Sequence, residues 1–267
     1  MAMGFDSLLL GMALIIGGSR SPQPPTAARG YRLAFYDDFR SIDLSADGTG
    51  SHVWYEGVWY SQKHAPLSNI QSTASGLTLT WTRGQQQPDT SIATFSTLGA
   101  MAHRWRYGYF EVRMKWNPEP GAWPAIWLLP SSPRDFTDMG ELDIFEGNAD
   151  HPRSFFGTLH HWRRDPADPN RMIHVQNSGS PTGFDLPPGA DMRQFHTYGM
   201  LWEPDRVTWF FDGKPLHSEA SYAVFNTQEF SLIIGMQAGV NWALGILDGM
   251  IADRMTMTVD WVRVWQK

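Results

Sequence analysis

The segment YGYFEVRMKW (residues 107–116) gives the clearest indication of secondary structure in the chain. Apolar and polar side chains alternate along it, which predicts a β-strand with one buried face, because successive side chains of a strand point to opposite faces. The pattern recurs in the segments 77–81, 197–202, 206–212, 230–236 and 255–265. Residues 203–205 (EPD) and 212–215 (DGKP) are typical of hairpin turns. Because no long segment keeps a 3.6-residue period, the sequence predicts an all-β protein, a sandwich or jelly roll of antiparallel sheets.

The composition narrows the class of protein. The chain has 267 residues, of which 42% are hydrophobic and 18% charged, as expected for one folded sandwich domain. A formal net charge of −6 without a basic stripe argues against a nucleic-acid partner. The absence of cysteine excludes disulfides, thiolate catalysis and cysteine-bound zinc. The 13 tryptophans exceed what a core needs, and flat apolar rings are suited to binding the faces of sugars.

The N-terminal 30 residues differ from the rest of the chain. Leu8–Gly18 (LLLGMALIIGG) has the length of the apolar part of a signal peptide and is too short to span a bilayer. Asp6 and the lack of Lys or Arg before this run depart from the usual signal, and a loosely docked arm is the alternative. Residues 19–30 are rich in Pro, Ser and Ala and indicate a linker. We therefore expect one folded domain over residues 31–267, in a secreted or periplasmic protein without stable membrane insertion.

The segment GELDIFEGN (residues 140–148) carries three carboxylates among large apolar residues. Glu141 and Asp143 share a face of a strand, but Glu146, five positions after Glu141, would point into the core of a regular strand. An unpaired glutamate in a core is very costly. The spacing therefore predicts a β-bulge near Ile144–Phe145, which returns Glu146 to the polar face and leaves Leu142 and one of the two bulge residues in the core.

Three neighbouring carboxylates raise one another's pKa, which benefits catalysis rather than structure. A glycosidase needs one carboxylate to attack the anomeric carbon and a second, protonated one to donate to the leaving oxygen; in retaining enzymes the two lie about 5–5.5 Å apart. The alternative at this point is an exposed acidic strand face. The surroundings favour a sugar site: Trp123 and Trp127 share a strand face upstream, and the segment 155–162 (FFGTLHHW) could bring a histidine to the carboxylates.

With these segments in place, the chain resembles glycoside hydrolase family 16, in its laminarinase-like group, over about residues 35–267. The matching segments are YDDF (36–39), YGYFEVR (107–113), WPAIWLL (123–129), ELDIFE (141–146), GTLH (157–160), FHTY (195–198), WFFDG (209–213), NW (241–242) and VDWVRVW (259–265). The loops 131–139, 161–164 and 237–240 depart from the family pattern, which leaves the substrate open rather than the reaction.

The resemblance implies a concanavalin-like β-sandwich and a double-displacement mechanism. By position it makes Glu141 the nucleophile, Glu146 the general acid/base and Asp143 the assisting residue between them. It further implies substrate contacts from a set of aromatic and polar residues, namely Trp123, Trp127, Trp242, Arg113, His160 and Asn241. No cofactor is required, although many members bind a structural calcium ion, for which Asp260 matches a ligand position.

The function that follows is that of a retaining endo-β-glycanase acting on a β-1,3-linked, laminarin-like glucan. Within the same class, the substrate could instead be a galactan such as agar or carrageenan, or a bacterial exopolysaccharide, and the enzyme could transglycosylate. A non-catalytic glucan-binding protein is the alternative of another class, but such relatives typically lack the catalytic glutamates. We expect a monomer whose partner is a polysaccharide or oligosaccharide.

Overall fold

A computed structural model describes residues 22–58, 64–85, 89–96, 98, 103–131, 137–168, 171–179, 183–238 and 251–267. The strands in these residues are numbered β1–β17 along the chain and form two sheets. Sheet A comprises β1 (Arg32–Asp37), β4 (Ile70–Thr73), β5 (Gly76–Thr82), β7 (Gly108–Trp116), β13 (His196–Trp202), β14 (Arg206–Phe211), β15 (Lys214–Ala220) and β17 (Arg254–Gln266). Sheet B comprises β2 (Leu44–Ser45), β3 (Trp54–Glu56), β6 (Asp89–Ala93), β8 (Ala122–Pro130), β9 (Asp138–Gly147), β10 (Ser154–Arg164), β11 (Met172–Gly179), β12 (Phe184–Asp185) and β16 (Phe230–Ala238). Short 3-10 helices occur at Thr26–Ala28, Leu67–Asn69 and Ala223–Thr227.

The strand order confirms the predicted β-sandwich. Sheet A has the order β15-β14-β13-β7-β17-β5-β4, with β1 also paired to β17, and sheet B has the order β11-β10-β9-β8-β16-β6-β3-β2, with β12 paired to β10. The described pairings are antiparallel except that of β2 with β3. Both predicted hairpin turns occur in sheet A. Glu203 donates its backbone N–H to Arg206 between β13 and β14, and Asp212 and Gly213, with φ of 47° and 73°, form the tight turn between β14 and β15.

The main core lies between the two sheets. In β7 the side chains of Phe110, Val112 and Met114 are buried there, as the alternation predicts. Phe145 of β9 makes ring contacts with Phe155 of β10, at 5.4 Å between centroids, and with Tyr198 of β13, at 4.5 Å. Truncating a buried aromatic residue of this kind to alanine costs about 3–5 kcal/mol of stability. These contacts therefore anchor β9 firmly against the opposite sheet.

A second apolar layer covers part of the outer face of sheet B. We call it the outer cluster; its buried members are Val58, Ala93, Phe95, Ala125, Trp127, Leu129, Met139 and Ile233. Trp162 and Met172, which are partly buried, pack against it. The outer face of this sheet is therefore not simply a polar surface, and part of it is as dry as the core.

The N-terminal segment packs against the outer face of sheet A. Ala28 is fully buried beside Tyr109, Phe210 and Trp265. The expectation of a linker as far as Gly30 is therefore wrong for Ala27 and Ala28, because small apolar residues that cover a sheet face belong to the packed domain. The apolar run 8–18 lies outside the described residues. Among the helices of the described ranges, none has the length and hydropathy that crossing a bilayer requires.

Candidate active site

Strand β9 contains the bulge that the spacing of its glutamates predicts. Asp143 pairs with Trp127 of β8 and Glu146 pairs with Ala125. Between these two pairs β9 moves on by three residues while β8 moves on by only two, so β9 contains one extra residue. The two residues between Asp143 and Glu146 are both fully buried in the core, whereas only one of them was expected there. The bulge therefore confirms the geometric prediction, and it is anchored by two apolar side chains rather than one.

The bulge brings Glu141, Asp143 and Glu146 together on the outer face of sheet B; we call these three the carboxylate row. Each glutamate accepts a hydrogen bond from an indole. Trp162 Nε1 of β10 donates to Glu141 Oε2 at 2.6 Å, and Trp123 Nε1 of β8 donates to Glu146 Oε1 at 3.2 Å. The two glutamates are thus held by different neighbouring strands, one on each side of β9.

Asp143, the middle member of the row, is 3% exposed. His160 Nε2 of β10 lies 3.1 Å from Asp143 Oδ2, at ion-pair distance but without the alignment of a hydrogen bond. The backbone carbonyl of Asp143 accepts a hydrogen bond of 2.8 Å from Trp209 Nε1 of β14, in the other sheet. On its other side, His160 Nδ1 lies 2.8 Å from Nε2 of His174 in β11. Asp143 is therefore held by a residue of the opposite sheet and by a histidine of the neighbouring strand.

Burial disfavours the ionised form of all three carboxylates. It raises the pKa of Glu141 to about 7, with a smaller rise from Asp143, while His160 and the Trp162 hydrogen bond act in the opposite direction. Burial also raises the pKa of Glu146 well above its ordinary value, and the charges of Asp143 and Glu141 add to that rise. The pKa of Asp143 is raised by burial as well. A row of this kind holds protons near neutral pH, as a general acid must.

A cation is the other ligand to consider for this row. Carboxylate oxygens of Asp143 and Glu146 and a ring nitrogen of His160 lie within 4.8 Å of one another, and no other group of three or more such residues is found in the part of the chain that the structure describes. A metal ion needs its carboxylates ionised, whereas burial favours protonation of both acids. Acid–base use fits these residues better than metal binding.

Two predicted substrate-binding residues lie beside the row, and a third does not offer its ring. Trp123 and His160 contact the row directly. Trp127 shares the sheet face with Trp123, as predicted, but it is only 3% exposed and belongs to the outer cluster. Its expected stacking against a sugar is therefore wrong, because the ring is packed beneath its neighbours.

Arg113 and Asp260 correct two further expectations. Arg113 lies on β7 with its side chain on the outer face of sheet A, on the opposite side of the sandwich from the carboxylate row. There it pairs with the carboxylate of Asp260 and stacks over the ring of Phe195, with Cζ 4.7 Å from the ring centre. Arg113 is therefore not a substrate contact of this site. A guanidinium bound to the Asp260 carboxylate also opposes a cation there, so the residues present do not fit the implied calcium ion. The predicted contacts Asn241 and Trp242 lie outside the described residues.

Two residues of the site were not predicted, Trp162 and His174. Trp162 is two positions after His160, so strand alternation places both on one face of β10; that signal was available in the sequence. No pattern in the sequence indicates that His174 lies at the site. His161 pairs with Gln176 and Trp162 with His174, so Val175 of β11 forms a bulge that depends on the pairing of two strands.

Comparisons with known proteins show the family to which the chain belongs. The family described as Glycosyl hydrolases family 16 matches residues 58–263. The chain is 28% identical over 267 residues to Endo-1,3-1,4-beta-glycanase EglC of Rhizobium meliloti, covering 86% of this chain and 51% of that protein. It is 25% identical over 281 residues to Beta-glucanase of Rhodothermus marinus, covering 97% of this chain and 92% of that protein. The chain thus spans about half the length of the first relative and most of the second.

Among solved structures, the laminarinase catalytic domain from Thermotoga maritima is similar, with a TM-score of 0.66 and 20% identity. The match covers 89% of this chain and 98% of that domain. At this identity the likeness establishes the jelly-roll fold.

Proposed function

Because this chain belongs to glycosyl hydrolases family 16, we propose that it is a retaining endo-β-glycanase that hydrolyses a β-1,3-linked glucan. One observation carries the proposal: a bulged strand presents Glu141, Asp143 and Glu146 on one face, with the two glutamates held by separate indole donors. This arrangement supplies a nucleophile and a protonated acid within one short segment, as a retaining glycosidase requires.

In the first step, an oxygen of Glu141 attacks the anomeric carbon, and the bond from that carbon to the glycosidic oxygen breaks. The proton of Glu146 passes to the leaving oxygen, so the products are a glycosyl ester of Glu141 and a released sugar chain. Burial and the charges of Asp143 and Glu141 raise the pKa of Glu146, which keeps it protonated for this step. Asp143 therefore assists by opposing ionisation of the acid.

In the second step, Glu146, now ionised, takes a proton from water. The water oxygen bonds to the anomeric carbon, the ester bond breaks, and its electron pair returns to Glu141. Two displacements at one carbon retain its configuration. The sugar chain released from Glu141 in this step should therefore carry the β configuration at its new reducing end.

The choice of a glucan rests on the relatives. The Rhizobium and Rhodothermus proteins carry the names of glycanases with 1,3-1,4-beta and beta-glucan specificity, and the Thermotoga structure is called a laminarinase. The aromatic surface beside the row supports a substrate with flat apolar sugar faces, since Trp123 is only partly buried. A β-linked galactan and transglycosylation use the same carboxylates and remain the alternatives.

A substrate panel tests the proposal. The wild type, Glu141→Gln, Glu146→Gln and the control Glu203→Gln are each incubated with laminarin, mixed-linkage glucan, agarose and carrageenan. Glu203 pairs with Lys267 at a turn of sheet A, so its variant should match the wild type. We expect oligosaccharides from laminarin, a loss of about 10²-fold or more in both site variants, and a β anomer in the fresh hydrolysate by NMR.

The outcomes separate the parts of the proposal. Activity that survives either site substitution would remove the catalytic assignment. Release from agarose or carrageenan alone would keep the mechanism and replace the substrate. An α anomer would exclude retention.

Export is a separate proposal, supported by the apolar run Leu8–Gly18 and the Pro-rich segment after it. We propose that the enzyme acts outside the cytoplasm, where polysaccharides are found. Mass spectrometry of the protein from culture medium or periplasm, compared with a variant lacking residues 8–18, tests this; equal distribution of the two proteins would contradict it.

A further inference from the structure

Strands β10 and β11 build a clamp on one end of the carboxylate row. The bulge at Val175 places His174 directly opposite Trp162. The two rings stack with their centres 4.2 Å apart and an angle of 21° between their planes. We call Trp162 and His174 the indole clamp. It exists only because the β10–β11 pairing shifts at this point, since a regular register would place a different residue opposite the indole.

The Trp162 ring of the indole clamp is held from more than one direction. Trp162 packs against the outer cluster, and the His174 ring covers it. His174 is itself tied to His160 by the 2.8 Å contact between Nε2 and Nδ1. A ring fixed by packing and by a neighbour's contacts presents its N–H in one direction, which is what precise positioning of another group needs.

The group that the clamp positions is the Glu141 carboxylate. Trp162 Nε1 donates to Oε2 at 2.6 Å, and Oε1 accepts no hydrogen bond from the described residues. The two oxygens of Glu141 therefore have different surroundings. One is tied to the indole, and the other has no such hydrogen bond from the described residues.

We infer that Trp162, held by His174, is a positioning residue that fixes Glu141 through Oε2 and leaves Oε1 as the attacking atom. The inference rests on the proposed function and extends it to a residue outside the carboxylate row. In the first step Oε1 bonds to the anomeric carbon. In the second step that bond breaks and its electron pair returns to Oε1, while the indole N–H stabilises the charge that reappears on the carboxylate.

The consequence can be measured because an N–H donor favours the ionised carboxylate. Other charges that bear on Glu141 among the described residues come from Asp143 on its own strand and His160 on β10, with Glu146 and His174 next to them. Removing the N–H leaves those groups in place. Glu141 should then ionise at a higher pH, and the acidic limb of kcat/KM should move upward.

The test compares Trp162→Phe, which keeps a flat ring and loses the N–H, with Trp261→Phe. Trp261 is a partly buried tryptophan on β17 that stacks on Arg263 in sheet A, so it is a matched control. For Trp162→Phe we expect the acidic limb of kcat/KM to rise by about one pH unit, because a hydrogen bond to a charged group changes an equilibrium by about tenfold or more. The control should keep the wild-type profile, and unfolding temperatures should show that both variants are folded.

A second pair of variants tests the clamp even if Trp162→Phe folds poorly. His174→Phe keeps a ring on the indole, whereas His174→Ala removes it. We expect His174→Ala to move the acidic limb in the same direction as Trp162→Phe but less far, and His174→Phe to leave it close to that of the wild type. The double variant Trp162→Phe/His174→Ala should move no further than Trp162→Phe alone, because His174 acts through the indole.

An acidic limb that stays in place in Trp162→Phe would overturn the inference, even if kcat/KM fell equally at every pH, because that result describes packing alone. The Glu141→Gln variant keeps this failure distinct from failure of the proposed function. If Glu141→Gln is inactive and the limb does not move, only the clamp is wrong. If Glu141→Gln stays active, the proposed function itself is wrong.

Discussion

Trp123 Nε1 lies 3.2 Å from Glu146 Oε1, so a ring expected to bind sugar also donates a hydrogen bond to the proposed acid. That bond favours the ionised form of Glu146 and lowers its pKa, against the rise caused by burial. Replacing the indole by phenyl keeps a flat ring and removes the donor. The pKa of Glu146 should therefore rise.

The first prediction concerns the alkaline limb of activity. Glu146 must be protonated in the first step, so kcat/KM falls as pH rises through its pKa. In Trp123→Phe this limb should move to higher pH, whereas in Trp162→Phe the acidic limb should move. A pH series of kcat/KM on laminarin measures both limbs. An alkaline limb that moves to lower pH in Trp123→Phe would show that the indole does not stabilise the carboxylate.

The second prediction concerns stability and pH. The pKa of Glu141 is raised from 4.5 to about 7 in the folded protein, so the folded state binds the proton more tightly than the unfolded state. The stabilisation by that proton is complete below pH 4.5 and is lost as pH rises to about 7. Glu141→Gln cannot ionise and should become more stable than the wild type by about 3 kcal/mol above pH 7, at 1.36 kcal/mol per pH unit.

Urea unfolding of wild type and Glu141→Gln at pH 4.5 and pH 8 measures this effect. The difference in free energy of unfolding should be small at pH 4.5 and large at pH 8. Glu203→Gln serves as the control, with little change at either pH. A difference that is the same at both pH values would mean that Glu141 has no raised pKa.

The third prediction concerns the hydrogen bond that braces the bulge from the opposite sheet. Trp209 Nε1 donates to the buried carbonyl of Asp143, so Trp209→Phe leaves that carbonyl without its donor. Trp202 is the matched control, because it is equally buried and its Nε1 has no hydrogen-bond partner among the residues that the structure describes. Trp209→Phe should lose about 1–3 kcal/mol more than Trp202→Phe in urea unfolding. Equal losses of stability in the two variants would attribute the whole effect to the smaller ring and none of it to the hydrogen bond.

The fourth prediction follows from the position of Arg113 and Asp260. Arg113→Ala should keep kcat/KM close to that of the wild type and lose about 0–1 kcal/mol of stability, because the ion pair that it breaks is partly exposed. Thermal unfolding with calcium or with EDTA should give the same response in wild type and Asp260→Asn. A calcium-dependent rise in unfolding temperature that Asp260→Asn abolishes would restore the calcium site.

Local physical constraints explain which parts of the site could be predicted from sequence. The bulge in β9 was predictable because Glu146 in a regular strand would be buried in the core without a partner. Its neighbours were harder to predict. Alternation places Trp123 and Trp127 on one face, but it does not show that a second apolar layer covers Trp127. Alternation likewise gives the face of β7 on which Arg113 lies, but not the sheet to which that strand belongs. His174 reaches the site through a shift between two strands, which no single segment encodes.

The pairing of β1 with β17 has a consequence for how the chain folds during its synthesis. Arg32 pairs with Gln266, and β17 also pairs with β5 and β7 in the middle of sheet A. Until β17 has left the ribosome, sheet A lacks an inner strand, and the core that β9 packs against is incomplete. Contacts between residues this far apart in sequence also form slowly. Closure of sheet A therefore waits for β17, and it depends on pairing between strands that lie far apart along the chain.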